Sequence, residues 1–115
     1  MWPRDERLAL AQMIESAERA LSVTRTRRRE ELDADWILRL GLTKAVEIVG
    51  EAANRVSATT QARFPEVPWR EAIATRHRLT HGYDSVDPDQ LWDTVTRDFP
   101  PLLAALRRAQ AELAG

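Results

Sequence analysis

This 115-residue sequence predicts an all-α fold, an antiparallel bundle of four or five helices in a single domain spanning residues 1–115. Three observations predict it. Apolar residues recur every three or four positions along several stretches, the period of amphipathic helices rather than of strands. Helix start and stop signals stand at the edges of these stretches: Pro68 and Gly82 bracket one, and Asp87-Pro88 opens another. The length is enough to bury a core without disulfides or a structural metal.

The first helix runs from about Arg4 to Leu21, with Leu8, Ala11, Ile14, Ala17 and Leu21 as its apolar stripe and Arg4, Arg7, Glu15, Glu18 and Arg19 as its wet side. Thr24-Arg25-Thr26-Arg27-Arg28-Arg29 follows, the densest basic run in the chain. Such a run either raises the local concentration of phosphate near a cleft or is a solvated connection.

A longer helix is expected from about Leu32 to Val56, because Leu32, Trp36, Leu40, Val46, Val49, Ala53 and Val56 keep close to one stripe. Its interior glycines, Gly41 and Gly50, each cost about 1 kcal/mol relative to Ala. One of them should therefore sit where another backbone comes close, and Gly50, beside Ala52 and Ala53, is the stronger candidate. Glu51 either faces the following helix and orients a guanidinium there, or is an ordinary surface carboxylate.

Ser57 to Val67 reads as a connection with at most one short turn, since Ser57, Thr59 and Thr60 favour caps and Pro65 and Pro68 interrupt. The next helix starts at Pro68, carries Trp69, Ala72, Ile73 and Leu79 inward, and stops at Gly82. A polar loop from Gly82 to Pro88 leads to the last helix. Asp87 is its N-cap, Pro88 its first residue and Gln90 the third position of a capping box. Trp92, Val95, Phe99, Leu102, Leu106, Ala109 and Leu113 form its seam, with a kink or break expected at Phe99 to Pro101, where two prolines remove backbone donors.

Composition excludes several classes of function. With no cysteine there is neither a disulfide nor a thiolate metal site, and two histidines without a neighbouring carboxylate pattern do not make a zinc site. No metal or cofactor is expected. No apolar run reaches the ~18 residues of a membrane span, and Asp5 and Glu6 stand where a signal peptide would turn apolar, so a cytoplasmic location without membrane contact is expected. A net charge of −1 argues against non-specific coating of nucleic acid, so any RNA contact must be local. Lys44 is the only lysine, an arginine bias that a GC-rich coding sequence accounts for.

The chemistry concentrates in Arg76-His77-Arg78-Leu79-Thr80-His81-Gly82-Tyr83. An imidazole titrates near neutrality and can take or give a proton. A guanidinium is always charged, and its fork of donors matches phosphate oxygens as charge builds on them. On an ideal helix Arg76 and His81 stand about 140° apart, so they converge only if the last turn loosens before Gly82. The alternative is structural: Arg and His oppose the negative end of a helix dipole, and an aromatic after the stop simply packs.

The same string resembles the signature of HepT-like proteins, a branch of the HEPN superfamily: Arg, four residues, His, any residue, Tyr. The resemblance extends to the Gly-Glu-Ala helix, here Ala45 to Arg55, and to the run-in Pro65-Glu66-Val67-Pro68-Trp69-Arg70. It continues through Asp84-Ser85-Val86-Asp87, Leu91 to Val95 and Asp98-Phe99-Pro100, so that nearly the whole chain is covered. The position after Arg76, commonly Asn or Asp in HEPN ribonucleases, is His77 here.

The resemblance implies a homodimeric, metal-independent endoribonuclease, the toxin of a toxin–antitoxin pair of the MntA/HepT type. Arg76 and His81 would be catalytic, with His77, Arg78 and Glu51 supporting them or binding RNA. Tyr83 would accept AMP from ATP through a cognate MntA-like nucleotidyltransferase antitoxin. The alternative is a non-catalytic helical subunit that binds nucleotide or RNA and partners such a nucleotidyltransferase; a plain dimerisation module is a third reading.

Overall fold

The computed structural model describes residues 4–80 and 86–114. Among these, the chain is helical throughout: α1 (Arg4–Thr24), α2 (Glu31–Ala34), α3 (Trp36–Asn54), α4 (Ala58–Arg63), α5 (Trp69–Thr80), α6 (Pro88–Asp93), a π-helical turn (Thr94–Asp98) and α7 (Phe99–Ala114). No strand occurs among the described residues, in agreement with the predicted all-α class.

α3 is the central element, packed between α1 and α5, while α7 lies along α1. Long-range polar contacts fix the directions. Glu6, near the start of α1, accepts from the backbone N–H of Ser57 just past the end of α3, so these two helices run antiparallel. Gln61 in α4 donates to the carbonyls of Ala53 and Val56, and the Trp69 indole donates to the carbonyls of Gln61 and Phe64. The start of α5 is thereby held against the end of α3, and α5 runs back along it. Arg107 of α7 pairs with Glu18 of α1 at 2.7 Å.

Burial of Leu10, Met13, Leu32, Val46, Val49, Phe64, Leu79, Leu91, Val95 and Leu106 forms one continuous core. Each such side chain contributes roughly 1.5–3 kcal/mol when taken out of water. No described helix is long and apolar enough to cross a membrane.

Four local expectations need correction. In α1 the buried stripe is Ala9, Leu10, Met13, Ile14, Ala17, Ala20 and Leu21, while Leu8 is 50% exposed and Ala11 is exposed. A spacing of three drifts back by about 60° per step, which carries Leu8 off the face that Ile14 shares. The helix expected from Leu32 to Val56 is broken at Asp35, whose extended backbone (φ −114°, ψ 93°) and side-chain acceptance from the Leu38 N–H make it the N-cap of α3.

Trp36, expected in the core, is the first residue of α3 and stands about 80° from Val46 and 140° from Val49 around that helix, off its buried face, and it is 62% exposed. Within Ser57–Val67, α4 forms a genuine short helix, with Ser57 as N-cap accepting from the Thr60 N–H and Phe64 and Val67 wholly buried. α5 starts at Trp69 rather than Pro68; the Pro68 carbonyl accepts from the Ala72 N–H, which places the proline just before the first helical residue.

At the C-terminal end, Asp87 caps α6 by accepting from the N–H groups of Asp89 and Gln90, with Pro88 at the first position as expected. The break expected at Phe99–Pro101 takes a specific form one step earlier. The Phe99 N–H donates to the Thr94 carbonyl five residues back, closing a π turn, and α7 begins at Phe99. Pro100 and Pro101 then fall in the first turn of a helix, where a missing N–H costs nothing. Val95, Phe99, Leu102, Leu106 and Ala109 are buried, and Trp92 and Leu113 pack against the same core.

Candidate active site

Gly50 and Arg76 define the closest approach of α3 to α5. A Cβ added to Gly50 would lie 2.3 Å from the Cβ and 2.9 Å from the Cδ of Arg76, and 3.0 Å from the carbonyl oxygen of Ala72. Only glycine fits between these backbones, as its position in the sequence suggested. The other interior glycine, Gly41, has no such neighbour.

The root of the Arg76 side chain is thus pinned against α3. Its guanidinium, with the side chain 27% exposed, reaches Glu51 on the next position of that helix, Nη2 to Oε1 at 3.3 Å. Glu51 is the more exposed partner, at 47%. A cation fixed at its stem, steadied by a carboxylate at its tip and open on one side to solvent can receive an incoming phosphate oxygen with little reorganisation.

The remaining supporting residues divide. His77, one position on from Arg76, is exposed. Arg78 lies about 200° around α5 from Arg76. There its Nη2 contacts Glu71 Oε1 at 3.2 Å and Thr75 Oγ1 at 3.1 Å. Arg76 and Glu51 are therefore brought together, whereas Arg78 belongs to a separate network on the other side of the helix. His81 and Tyr83 lie outside the described residues.

Two carboxylates that sequence reasoning did not single out border that second network. Glu71 and Asp98 help line a small crevice of about 30 Å³ with Val46, Thr75, Thr94 and Phe99. Burial pushes the Asp98 carboxyl above its ordinary value, Glu71 and Asp93 add to the rise, and Arg78 and Arg97 oppose it. Only the fold could reveal this cluster, because 27 positions separate Glu71 from Asp98.

The basic run is also resolved into parts. Arg29 pairs with Asp33 of α2 and Asp89 of α6, and Arg27 lies 3.7 Å from both Glu31 and Asp35. Half of its four arginines thus tie the α1–α2 connection to neighbouring helices, which supports the reading of this run as a connection.

Known proteins resemble this chain over most of its length. The model of the family described as "Ribonuclease HepT-like" matches residues 13–109, a span that contains α3, α5, Gly50, Glu51 and Arg76. A protein of Methanocaldococcus jannaschii named "Putative RNase MJ1380" is 31% identical over 102 residues, covering 89% of this chain and 94% of its own. A Thermococcus cleftensis protein named "Probable ribonuclease HepT" is 37% identical over 73 residues, covering 64% of this chain and 66% of its own. No solved structure gives a significant match. With a family model covering most of its length and the glycine, glutamate and arginine of the resemblance meeting at one helix crossing, this chain belongs to the HepT-like ribonuclease family.

Proposed function

We propose that this protein is a metal-independent endoribonuclease acting as the toxin of a toxin–antitoxin pair, and that it works as a homodimer with its motif at the interface. The observation that carries the reading is the buttressed Arg76, pinned by Gly50, oriented by Glu51 and still partly open to solvent. In the reaction a ribose 2′-oxygen attacks the adjacent phosphorus and the bond to the 5′-oxygen breaks, leaving a 2′,3′-cyclic phosphate and a free 5′-hydroxyl. Arg76 holds the non-bridging oxygens and stabilises their charge in the transition state. His81 moves a proton, and its two-fold copy supplies the complementary acid or base. His77, exposed next to Arg76, contributes to RNA binding, whereas Arg78, held by Glu71 and Thr75 on the other side of α5, does not reach this site.

Silencing follows from Tyr83. A cognate nucleotidyltransferase transfers AMP from ATP to the phenol oxygen, which attacks the α-phosphorus and releases pyrophosphate. The new phosphate brings negative charge and bulk close in sequence to Arg76 and competes with RNA for it.

The test is incubation of the purified protein with RNA in EDTA, with Arg76→Ala and His81→Ala alongside. Cleavage leaving cyclic-phosphate ends, lost in both variants, is the expected result. RNA binding without cleavage by the wild type would overturn the nuclease in favour of a binding subunit, and cleavage that EDTA abolishes would overturn the metal-independent route. Mass spectrometry after mixing with the nucleotidyltransferase and ATP should find AMP on Tyr83; modification at another residue refutes the silencing scheme.

A further inference from the structure

Of the basic run after α1, Arg27 and Arg29 are held by neighbouring carboxylates, whereas Arg25 makes no ion pair or side-chain hydrogen bond with any described residue. Its backbone N–H donates to the Leu21 carbonyl at 3.1 Å, which carries the helical path of α1 one step further and sets where the side chain leaves it. There it lines an open groove of about 450 Å³ on the side of the bundle where α7 lies along α1. The lining comes from the end of α1, the π turn and α7, so the groove is separate from the α3–α5 crossing that holds Arg76.

The groove joins an apolar surface to cationic donors. Pro100 and Ala104 are exposed along it, with the buried Leu21 and Leu103 beneath them. Its charged lining residues are Arg25 and Arg107, and no carboxylate lines it. The hydroxyl protons of Thr24 and Thr96 are spent on the carbonyls of Leu21 and Trp92, at 3.2 and 2.7 Å. The side-chain donors left to a ligand are therefore the two guanidiniums. Arg107 meets Glu18 through Nη2 alone, so most of its N–H groups remain open to a second acceptor.

Such a groove suits acidic groups set beside an apolar one. A small inorganic anion would leave Pro100 and Ala104 uncovered, and none of the lining residues is aromatic, the feature on which single-stranded bases stack. We propose that it docks an acidic peptide segment of a partner protein, with carboxylates on Arg25 and Arg107 and an apolar side chain against Pro100 and Ala104. This docking site does not depend on the ribonuclease reading.

The experiment is fluorescence anisotropy of the whole chain with labelled peptides of about 16 residues built from Leu and Glu, one at helical spacing and one strictly alternating. At least one should bind saturably, and its counterparts with Lys for Glu or Ser for Leu should bind at least about tenfold more weakly. Arg25→Glu and Ala104→Glu, both at exposed positions in the groove, should weaken binding by a similar factor with helical circular dichroism unchanged. Arg7→Glu makes the same change of charge at the exposed start of α1. That is roughly 27 Å from Arg25 along the helix, beyond the screening length of about 10 Å at 0.1 M salt, so binding should be unaltered. Absence of binding by both peptides, a loss in Arg7→Glu as large as in Arg25→Glu, or full binding of the Ser-for-Leu peptide would overturn the proposal. Arg25-dependent binding of single-stranded RNA or of phosphatidylserine vesicles, with both peptides left unbound, would overturn it in favour of that other ligand.

Discussion

Replacing Gly50 by alanine sets two effects of known size against each other. Helix propensity favours alanine by about 1 kcal/mol. Against this, the new Cβ would meet the Arg76 Cβ at 2.3 Å and the Ala72 carbonyl oxygen at 3.0 Å, where carbon pairs prefer about 3.5–4.0 Å. Both atoms are rigidly attached to the α5 backbone, so no rotamer change relieves the overlap. The helices must part by about 1 Å, loosening the buried Val46, Val49 and Leu79 between them.

Overpacking of this kind costs about 1–3 kcal/mol, and a clash with backbone-borne atoms belongs at the upper end. The expected net effect of Gly50→Ala is therefore a loss of roughly 2 kcal/mol. Urea unfolding followed by circular dichroism measures it. Ala11→Gly, at an exposed position inside α1, calibrates the propensity contribution in this same protein. Because misplacement of a catalytic group by about 1 Å can cost on the order of 100-fold in rate, RNA cleavage should fall further than stability does. A Gly50→Ala variant as stable as the wild type, or more so, would refute the close-approach argument.

Other outcomes follow from the same contacts. Glu51→Ala should reduce cleavage about tenfold by releasing the Arg76 tip, while changing stability by no more than ~1 kcal/mol, since the pair is partly exposed; unchanged cleavage would show that Glu51 does not orient the guanidinium. Glu6→Ala should destabilise the fold by about 2 kcal/mol, because the buried carboxylate accepts from the Ser57 N–H and the Thr60 hydroxyl, both at 2.6 Å. Burial pushes the Glu6 carboxyl up, but these hydrogen bonds outweigh it and hold its pKa below the ordinary 4.5. Its contribution is thus present above pH 4.5 and is lost as pH falls through the folded-state value, so the deficit of Glu6→Ala should shrink on acidification; a deficit independent of pH would contradict this. Asp98 has the opposite sign: its raised pKa penalises the ionised form in the folded state. Asp98→Asn should stabilise the protein at neutral pH and make no difference below 3.8, as thermal melts across pH would reveal.

Much of this architecture was legible where a local rule has one physical solution. Asp87 and Pro88 announce a helix start because a side-chain acceptor and a residue without N–H both suit that position. Gly50 announced a close approach, and the seam from Val95 to Ala109 followed from spacing alone. Legibility failed where phase or distant partners decide. A stripe drawn too wide puts Trp36 inside, whereas on α3 it stands about 140° from Val49, off the buried face of that helix.

Glu6 draws notice in the sequence only as an acidic residue where a signal peptide would turn apolar. Its burial depends on Ser57 and Thr60, more than fifty positions away, which no local pattern encodes. At the site, the pairing of Glu51 with Arg76 was open to reading, because the family motif places both near one crossing. The separate network around Arg78, Glu71 and Asp98 was not, since it depends on how the π turn approaches α5.

That π turn has a consequence for the tolerance of the chain to length change. A π turn accommodates one residue more than the α turn it replaces. Shortening Thr94–Asp98 by one, at the exposed Arg97 for instance, would close the turn into α geometry and leave Pro100 and Pro101 inside a continuous helix, where each clashes with a preceding carbonyl at about 3 kcal/mol, so the shortened chain should be markedly less stable. A one-residue deletion inside α3 would instead rotate Gly50 out from under α5. The extra residue held in this turn is what lets two adjacent prolines follow α6 without breaking the path of the chain.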